Sequence, residues 1–70
     1  MIVYKRSLKV DDIKNLEREE ELIYYQDDNI AYVINGTSDS YVVRRKKIFN
    51  NQMTDERFFK TPHQIIKMIE

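Results

Sequence analysis

The side chains that most often carry catalysis are scarce in this 70-residue chain, which has one histidine, no cysteine and one glycine. His63 has no second histidine or cysteine with which to bind a metal ion, and no Gly-x-Ser-x-Gly segment accompanies it. Walker A and dinucleotide-binding loops need several glycines, because only glycine lets the backbone approach the phosphates closely. We therefore expect no catalytic residue and no cofactor, and we interpret His63 as an exposed or half-packed residue of a helix start.

Two pairs of neighbouring carboxylates are the candidates for binding an oxygen-preferring cation. They are Asp11-Asp12 and Asp27-Asp28, and neither begins the Asp-x-Asp-x-Asp-Gly spacing of a calcium loop. Short acidic side chains also cap helices and form turns by accepting backbone N–H groups. We therefore predict a helix cap at the first pair, a turn at the second, and no metal site.

Four consecutive cations occupy residues 44–47, within a stretch whose composition favours a β-strand. Such a strand could follow a phosphate backbone while tyrosine rings stack on bases. Tyrosine is also enriched at protein interfaces, and the alternative is that the rings pack inward with their hydroxyls at the rim. The candidate partner-binding residues, for protein or nucleic acid, are Tyr25, Tyr32, Tyr41, Arg44, Arg45, Lys46 and Lys47.

The charges balance over the whole chain, at 12 basic and 12 acidic residues, but they are unevenly distributed along it. Residues 11–28 hold eight carboxylates and two cations. The sequence leaves open whether these carboxylates neutralise residues 44–47 within the fold or leave those cations free for a partner. The candidate acidic partner surface consists of Glu17, Glu19, Glu20 and Glu21.

The elements that position these residues follow from the hydrophobic pattern and the turn residues. Asn35-Gly36 predicts a reversal of the chain, and the sequence leaves open whether this is a two-residue turn or a longer loop through Ser40. Thr54 predicts a capped helical turn with Met53 and Phe58 as its hydrophobic staple. The other expected elements are a strand over 2–10, a short helix after Asp11 or Asp12, strands over 22–25, 30–34 and 41–49, and a helix begun by Thr61-Pro62-His63-Gln64.

These elements predict a single α+β domain over residues 1–70. We expect a small three- to four-stranded, mainly antiparallel sheet, with a short N-terminal helix and a C-terminal helix packed on one face. The other face stays exposed or meets a second copy. The predicted core residues are Leu22, Tyr24, Ala31, Val33, Val43, Phe58, Ile65 and Ile69.

Residues 2–13 resemble the opening strand and first helix of small ribonuclease toxins of the RelE and ParE kind, and Arg44-Arg45 is similar to their basic strand. The chain has no room for the long helical hairpin that those toxins place before their sheet. We therefore do not assign it to that family, and we predict that the protein is not an enzyme.

The sequence predicts a small regulatory or inhibitory protein-binding module, of the kind carried by phages and mobile elements, that acts through a tyrosine-rich and charged sheet face. Its expected partner is another protein or a second copy of itself. The alternative is a nucleic-acid-binding regulator that uses residues 44–47 and the sheet tyrosines. We expect a cytoplasmic location and no membrane partner, because the longest apolar run covers only residues 30–34.

Overall fold

A computed structural model describes residues 1–17, 19–37 and 39–69 of the chain. Within these residues, five strands form one sheet in chain order, and β1 is parallel to β2 while the other neighbours are antiparallel. The α+β prediction is confirmed, with a five-stranded mixed sheet in place of three or four mainly antiparallel strands. The elements are β1 (Ile2–Lys5), α1 (Val10–Lys14), β2 (Glu21–Tyr25), β3 (Ile30–Gly36), β4 (Tyr41–Lys47), β5 (Gln52–Phe59) and α2 (Pro62–Ile69).

The parallel pair arises because α1 lies between β1 and β2, as parallel strands require a crossover connection. The predicted strand over 2–10 ends at Lys5, and the helix begins at Val10. Asp12 caps this helix from inside its first turn, since its carboxylate accepts a hydrogen bond from the Lys9 N–H at 2.9 Å. The cap predicted at Asp11 or Asp12 is therefore wrong, because both residues lie in the first turn of the helix and the N-cap residue is Lys9.

The helical turn predicted at Thr54 is wrong, because residues 52–59 form β5. Asn51 reverses the chain before this strand with a φ of 56°, and the Asn50 side chain accepts a hydrogen bond from the Gln52 N–H at 3.0 Å. β5 then pairs with β4 from Lys47↔Gln52 to Tyr41↔Phe59. Sheet pairing therefore overrides the local capping signal, as tertiary context often does.

Of the two reversals left open at Asn35-Gly36, the two-residue turn does not form, because β3 continues to Gly36, whose φ is not positive. The chain reverses after this residue, where Thr37 and Ser40 are joined by hydrogen bonds. The Thr37 N–H donates to the Ser40 carbonyl at 2.8 Å, and the Ser40 N–H donates to Thr37 Oγ1 at 3.1 Å. The longer connection through Ser40 is therefore the one that forms.

Both described helices pack on one face of the sheet. The capping box predicted at the start of α2 is confirmed, because the Gln64 N–H donates to Thr61 Oγ1 at 3.4 Å and the Thr61 N–H donates to Gln64 Oε1 at 3.3 Å. This helix then buries Ile65 completely. The helix-side core consists of Ile13, Leu22, Ile34, Val43 and Ile65.

A second, smaller cluster lies on the opposite face. Ile23, Ala31 and Val33 are buried there, with Tyr25 and Ile48 packed against them. Five of the predicted core residues are thus buried, but they are divided between the two faces: Leu22, Val43 and Ile65 on the helix side, Ala31 and Val33 on the other. Tyr24 and Ile69 are half-buried, and the prediction for Phe58 is wrong, since 68% of its surface is exposed.

Candidate protein-docking face

The sheet face opposite the two helices, which we call the open face, carries four exposed apolar side chains. Strand register and side-chain alternation direct Ile2 and Tyr4 of β1 and Met53 and Phe58 of β5 to this face. Their exposed fractions are 49% for Ile2, 60% for Tyr4, 49% for Met53 and 68% for Phe58. The open face therefore combines buried apolar residues on its inner strands with exposed apolar residues on its two edge strands.

These exposed residues lie on the two edge strands, while the inner strands bury their own apolar residues on this face. Val33 of β3 is 1% exposed and Val42 of β4 is 7% exposed, because neighbouring side chains cover them. The edge strands have a neighbour on one side only, so Tyr4 and Phe58 project beyond the covered centre. The open face therefore presents two apolar flanks, one on β1 and one on β5.

The β1 flank is organised by stacked aromatic rings. The rings of Tyr4 and Tyr25 have centroids 6.2 Å apart and an interplanar angle of 14°. The Arg6 guanidinium carbon lies 5.7 Å from the Tyr25 ring centroid, within the range of a cation–π contact. These contacts restrict the motion of the Tyr4 ring at the edge of the sheet. The Tyr4 side chain would therefore lose less conformational entropy if another molecule bound there.

The open face also carries charged side chains of both signs. Arg44 of β4 pairs with Glu56 of β5, with 3.2 Å between Nη2 and Oε1. Register places Lys46 on the same face beside Ala31, and Glu21 on it beside Asn35. Arg6, whose guanidinium lies over the Tyr25 ring, is a further cation on this face, and of the three cations only Arg44 has a carboxylate within ion-pair distance among the described residues.

The residues predicted as one partner-binding site are divided between the two faces. Alternation sends Arg44 and Lys46 to the open face, with Tyr25, and sends Arg45 and Lys47 to the helix side. On the helix side the rings of Tyr32 and Tyr41 pack partly buried against the core. The basic run therefore does not form one continuous stripe.

On the helix side, β4, β5 and α2 border a small cleft with a volume of about 100 Å³. Val43 and Met68 form its apolar part. Two of its lining residues are cations, Arg45 and Arg57. Neither forms an ion pair within residues 1–17, 19–37 and 39–69. The polar residues that line the cleft are Tyr32, Arg45, Asp55 and Arg57.

The candidate acidic surface is only partly available. Glu17 and Glu19 are exposed, whereas the Glu20 carboxylate accepts a hydrogen bond from the Glu17 N–H at 3.0 Å. Glu21 is half-buried in β2. Among the described residues, no ion pair joins the acidic stretch 11–28 to residues 44–47, and Lys5 pairs with Asp12 at 3.4 Å.

The predicted turn at Asp27-Asp28 forms, and Asp27 organises it. Its Oδ1 accepts hydrogen bonds from the N–H groups of Asn29 at 2.7 Å and Ile30 at 2.9 Å. These two bonds lower the pKa of the Asp27 carboxyl, and Arg45 adds a smaller effect in the same direction. Asp27 is therefore a structural turn residue whose charge is favoured by the folded backbone.

His63 is exposed on the first turn of α2. In the part of the chain that the structure describes, no three histidine, aspartate or glutamate side chains are grouped to hold a metal ion. None of the described helices is long and apolar enough to cross a membrane.

Sequence reasoning missed the four residues that define the open face's flanks. Met53 and Phe58 were assigned to a helical staple, and the short alternating segment of β1 did not reveal which side would be left uncovered. The Asn50-Asn51 pair, a turn signal before a run with two phenylalanines, was the feature that could have indicated β5.

Comparison of the chain with protein-family models, with curated proteins and with solved structures found no match.

Proposed function

We propose that this protein binds another protein through the open face of its sheet. The observation that carries the proposal is the exposure of Ile2, Tyr4, Met53 and Phe58 on one face. Apolar side chains grouped on one surface gain free energy when a partner removes them from water, at about 25 cal/mol per Å². In the role we propose, the protein regulates or inhibits its partner by occupying the partner's surface.

The face is a better docking surface than the edges of the sheet. β1 has only four residues, which limits the backbone groups that it offers to an added strand. β5 carries an irregularity in its pairing between Val43 and Arg45, where Asp55 has a φ of 55°. Short and irregular edge strands disfavour strand addition, so side-chain contact with the face is the mode we propose.

Position-specific photo-crosslinking tests this proposal, because neighbouring residues of β5 point to opposite faces. Benzoylphenylalanine in place of Phe58 places the reactive group on the open face, and the same residue in place of Arg57 is the matched control on the helix side. In the source cell we expect protein crosslinks from position 58 and few from position 57. Equal crosslinking from both positions, or none from position 58, would overturn the proposal.

A second candidate function, contact with nucleic acid, is favoured by the cleft on the helix side. Arg45 and Arg57 line this cleft with Tyr32, and register places Lys47 on the same face. Guanidinium groups bind phosphate oxygens through paired hydrogen bonds. The carboxylate of Asp55 lines the same cleft and would repel a polyanion, so we rank this function second.

Fluorescence anisotropy with labelled single- and double-stranded oligonucleotides tests the second candidate. If it is correct, binding at low salt weakens steeply as salt rises and is lost in the double variant Arg45→Gln, Arg57→Gln. Arg44→Gln on the open face is the control and should leave this binding unchanged. Lack of binding at low salt would eliminate the second candidate.

A further inference from the structure

We propose that the partner of the open face binds through an acidic segment, whose carboxylates pair with Arg6 and Lys46. This proposal depends on the proposed function and specifies the chemistry of the partner. The two cations belong to one end of the open face, which we call the basic end. It consists of Arg6, Tyr25, Ala31 and Lys46.

The residues of the basic end form one row across the sheet. In the register of the strands, Lys46 of β4 lies beside Ala31 of β3, and Ala31 lies beside Tyr25 of β2. Arg6 follows β1 and completes the row, since its guanidinium carbon lies 5.7 Å from the Tyr25 ring centroid. At about 4.8 Å per strand, Arg6 and Lys46 are roughly 14 Å apart. A partner can therefore contact both cations and the aromatic ring between them with one segment.

Neither cation of the basic end forms an ion pair among the described residues. Arg6 is exposed and Lys46 is half-buried. The two carboxylates of the open face do not neutralise them, because Glu56 pairs with Arg44 and Glu21 lies at the other end of β2. Over a strand of five residues, that end is about 13 Å from the row. Carboxylates supplied by a partner would therefore meet two cations that are still available.

The carboxylates of the turn beside the basic end do not fill this role. Asp27 Oδ1 accepts hydrogen bonds from the N–H groups of Asn29 and Ile30. The cation that helps to lower the pKa of Asp27 is Arg45, which lies on the helix side. Asp28 is exposed and forms no ion pair within residues 1–17, 19–37 and 39–69. The charges of the basic end are thus left for a partner.

The surroundings of these cations favour a polypeptide over a nucleic acid. Tyr4 stacks on Tyr25 and is 60% exposed. Met53 lies beside Lys46 in the register and is 49% exposed. A nucleic acid carries a negative charge on every nucleotide, and the Glu56 carboxylate on the same face would repel the charges that fall beyond the basic end. A polypeptide can place carboxylates over the two cations and apolar side chains over the rest of the face.

The size of the face sets the expected affinity. Five strands about 4.8 Å apart and about five residues deep, at roughly 3.3 Å per residue, project an area of about 24 Å by 17 Å, or about 400 Å². A partner that covers this area buries about 800 Å² in total, less than the roughly 1,200 Å² at which standard interfaces begin. We therefore expect a weak and transient complex, in which the attraction between opposite charges speeds association.

Crosslinking from position 53 identifies the segment that covers the basic end. Benzoylphenylalanine in place of Met53 places the reactive group beside Lys46. Mass spectrometry of the crosslinked product from the source cell then locates the attachment point in the partner. We expect this point to lie in a segment with a net negative charge. A fluorescent synthetic peptide with the sequence of that segment is the probe for anisotropy measurements.

Two double variants test the role of the cations in binding this peptide. Arg6→Gln with Lys46→Gln should raise the dissociation constant about tenfold, because two ion pairs are lost. Lys5→Gln with Lys47→Gln is the matched control, since it removes the same charge from chain neighbours that point to the helix side, and it should change the constant by less than about twofold. Circular dichroism establishes that both variants are folded.

An attachment segment without a net negative charge would overturn the inference, and so would equal losses of affinity in the two double variants. A crosslinked product that nuclease digestion removes would also overturn it. Position 58 separates this failure from failure of the proposed function. If position 58 crosslinks to protein while position 53 does not, or while the segment is not acidic, the open face still binds protein and only the acidic segment is wrong. If position 58 gives no crosslink, both proposals fail.

Discussion

The guanidinium of Arg44 lies 3.2 Å from the carboxylate of Glu56, across the β4–β5 pair and on the open face of the sheet. Both side chains are partly exposed, at 38% for Arg44 and 50% for Glu56. The partner of this cation therefore comes from the neighbouring strand β5 and not from the acidic stretch 11–28. The pair thus neutralises Arg44 locally, between β4 and the edge strand β5.

The Arg44–Glu56 pair predicts a small effect of Glu56→Gln on folding. An exposed pair contributes about 0–1 kcal/mol, so the free energy of unfolding should fall by no more than that. Urea unfolding measures the change, with Glu19→Gln as the control. A loss well above about 1 kcal/mol would show that the pair is shielded from water.

Gly36→Ala should be tolerated and mildly stabilising. The φ of Gly36 is not positive, and an added Cβ would lie 3.9 Å from the Leu16 carbonyl oxygen and 3.9 Å from the Tyr41 ring. Alanine at such a position restricts the unfolded chain and raises the free energy of unfolding by about 0.4–1 kcal/mol. Urea unfolding checks this, and Asn51→Ala, at a φ of 56°, should lose stability instead. A loss of more than about 1 kcal/mol in Gly36→Ala would show that the backbone here needs glycine.

Asp55 has a φ of 55° in the irregular part of β5, a conformation that aspartate, asparagine and glycine adopt more readily than branched residues. Asp55→Val should therefore lower the free energy of unfolding by about 1–2 kcal/mol. Asp55→Asn and Asp55→Gly should remain within about 0.5 kcal/mol of the wild type. Thermal or urea unfolding of the three variants makes the comparison. Equal stability of Asp55→Val and Asp55→Asn would contradict the left-handed backbone at this residue.

The Asp27 carboxyl should stabilise the fold in a pH-dependent way. Its pKa is lowered in the folded chain, chiefly by the N–H groups of Asn29 and Ile30. Its contribution is therefore complete above the pKa of the unfolded chain and is lost as the pH falls through the lower, folded pKa. The stability difference between the wild type and Asp27→Asn should shrink between about pH 5 and pH 2. Asp28→Asn is the control, and a difference that does not vary with pH would contradict this role.

The parts of the fold that could be predicted from the sequence are those fixed by local patterns. Thr61, Pro62 and Gln64 encode the start of α2 in one capping box, and the alternation of residues 41–47 encodes β4. β5 was not predicted, because Thr54 and Asp55 also satisfy a helix start, and the pairing with β4 that decides between the two lies outside this local pattern. The open face was missed for the same reason, since its flanks are defined by which strands lie at the edges.

The division of the basic run between two faces, in contrast, follows from strand alternation alone. Residues that alternate along a strand point to opposite faces, so Arg44 and Arg45 could not both face one partner surface. The neighbours of these two cations could not be read from the sequence. Glu56 lies beside Arg44, and Arg57 lines the same cleft as Arg45. Those neighbours come from β5, whose existence the local pattern concealed.

The most direct test of the central claim, that another protein covers the open face, uses the three methionines of the chain. In a sample labelled at the methionine methyl groups, a soluble gadolinium chelate broadens the signals of exposed methyl groups. Met53 on the open face is 49% exposed, while Met68 is half-buried on the helix side. We predict that adding a lysate of the source cell protects the Met53 signal, leaves Met68 unchanged, and fails to protect Met53 in Phe58→Glu. A Met53 signal that is broadened equally with and without the lysate would contradict the claim.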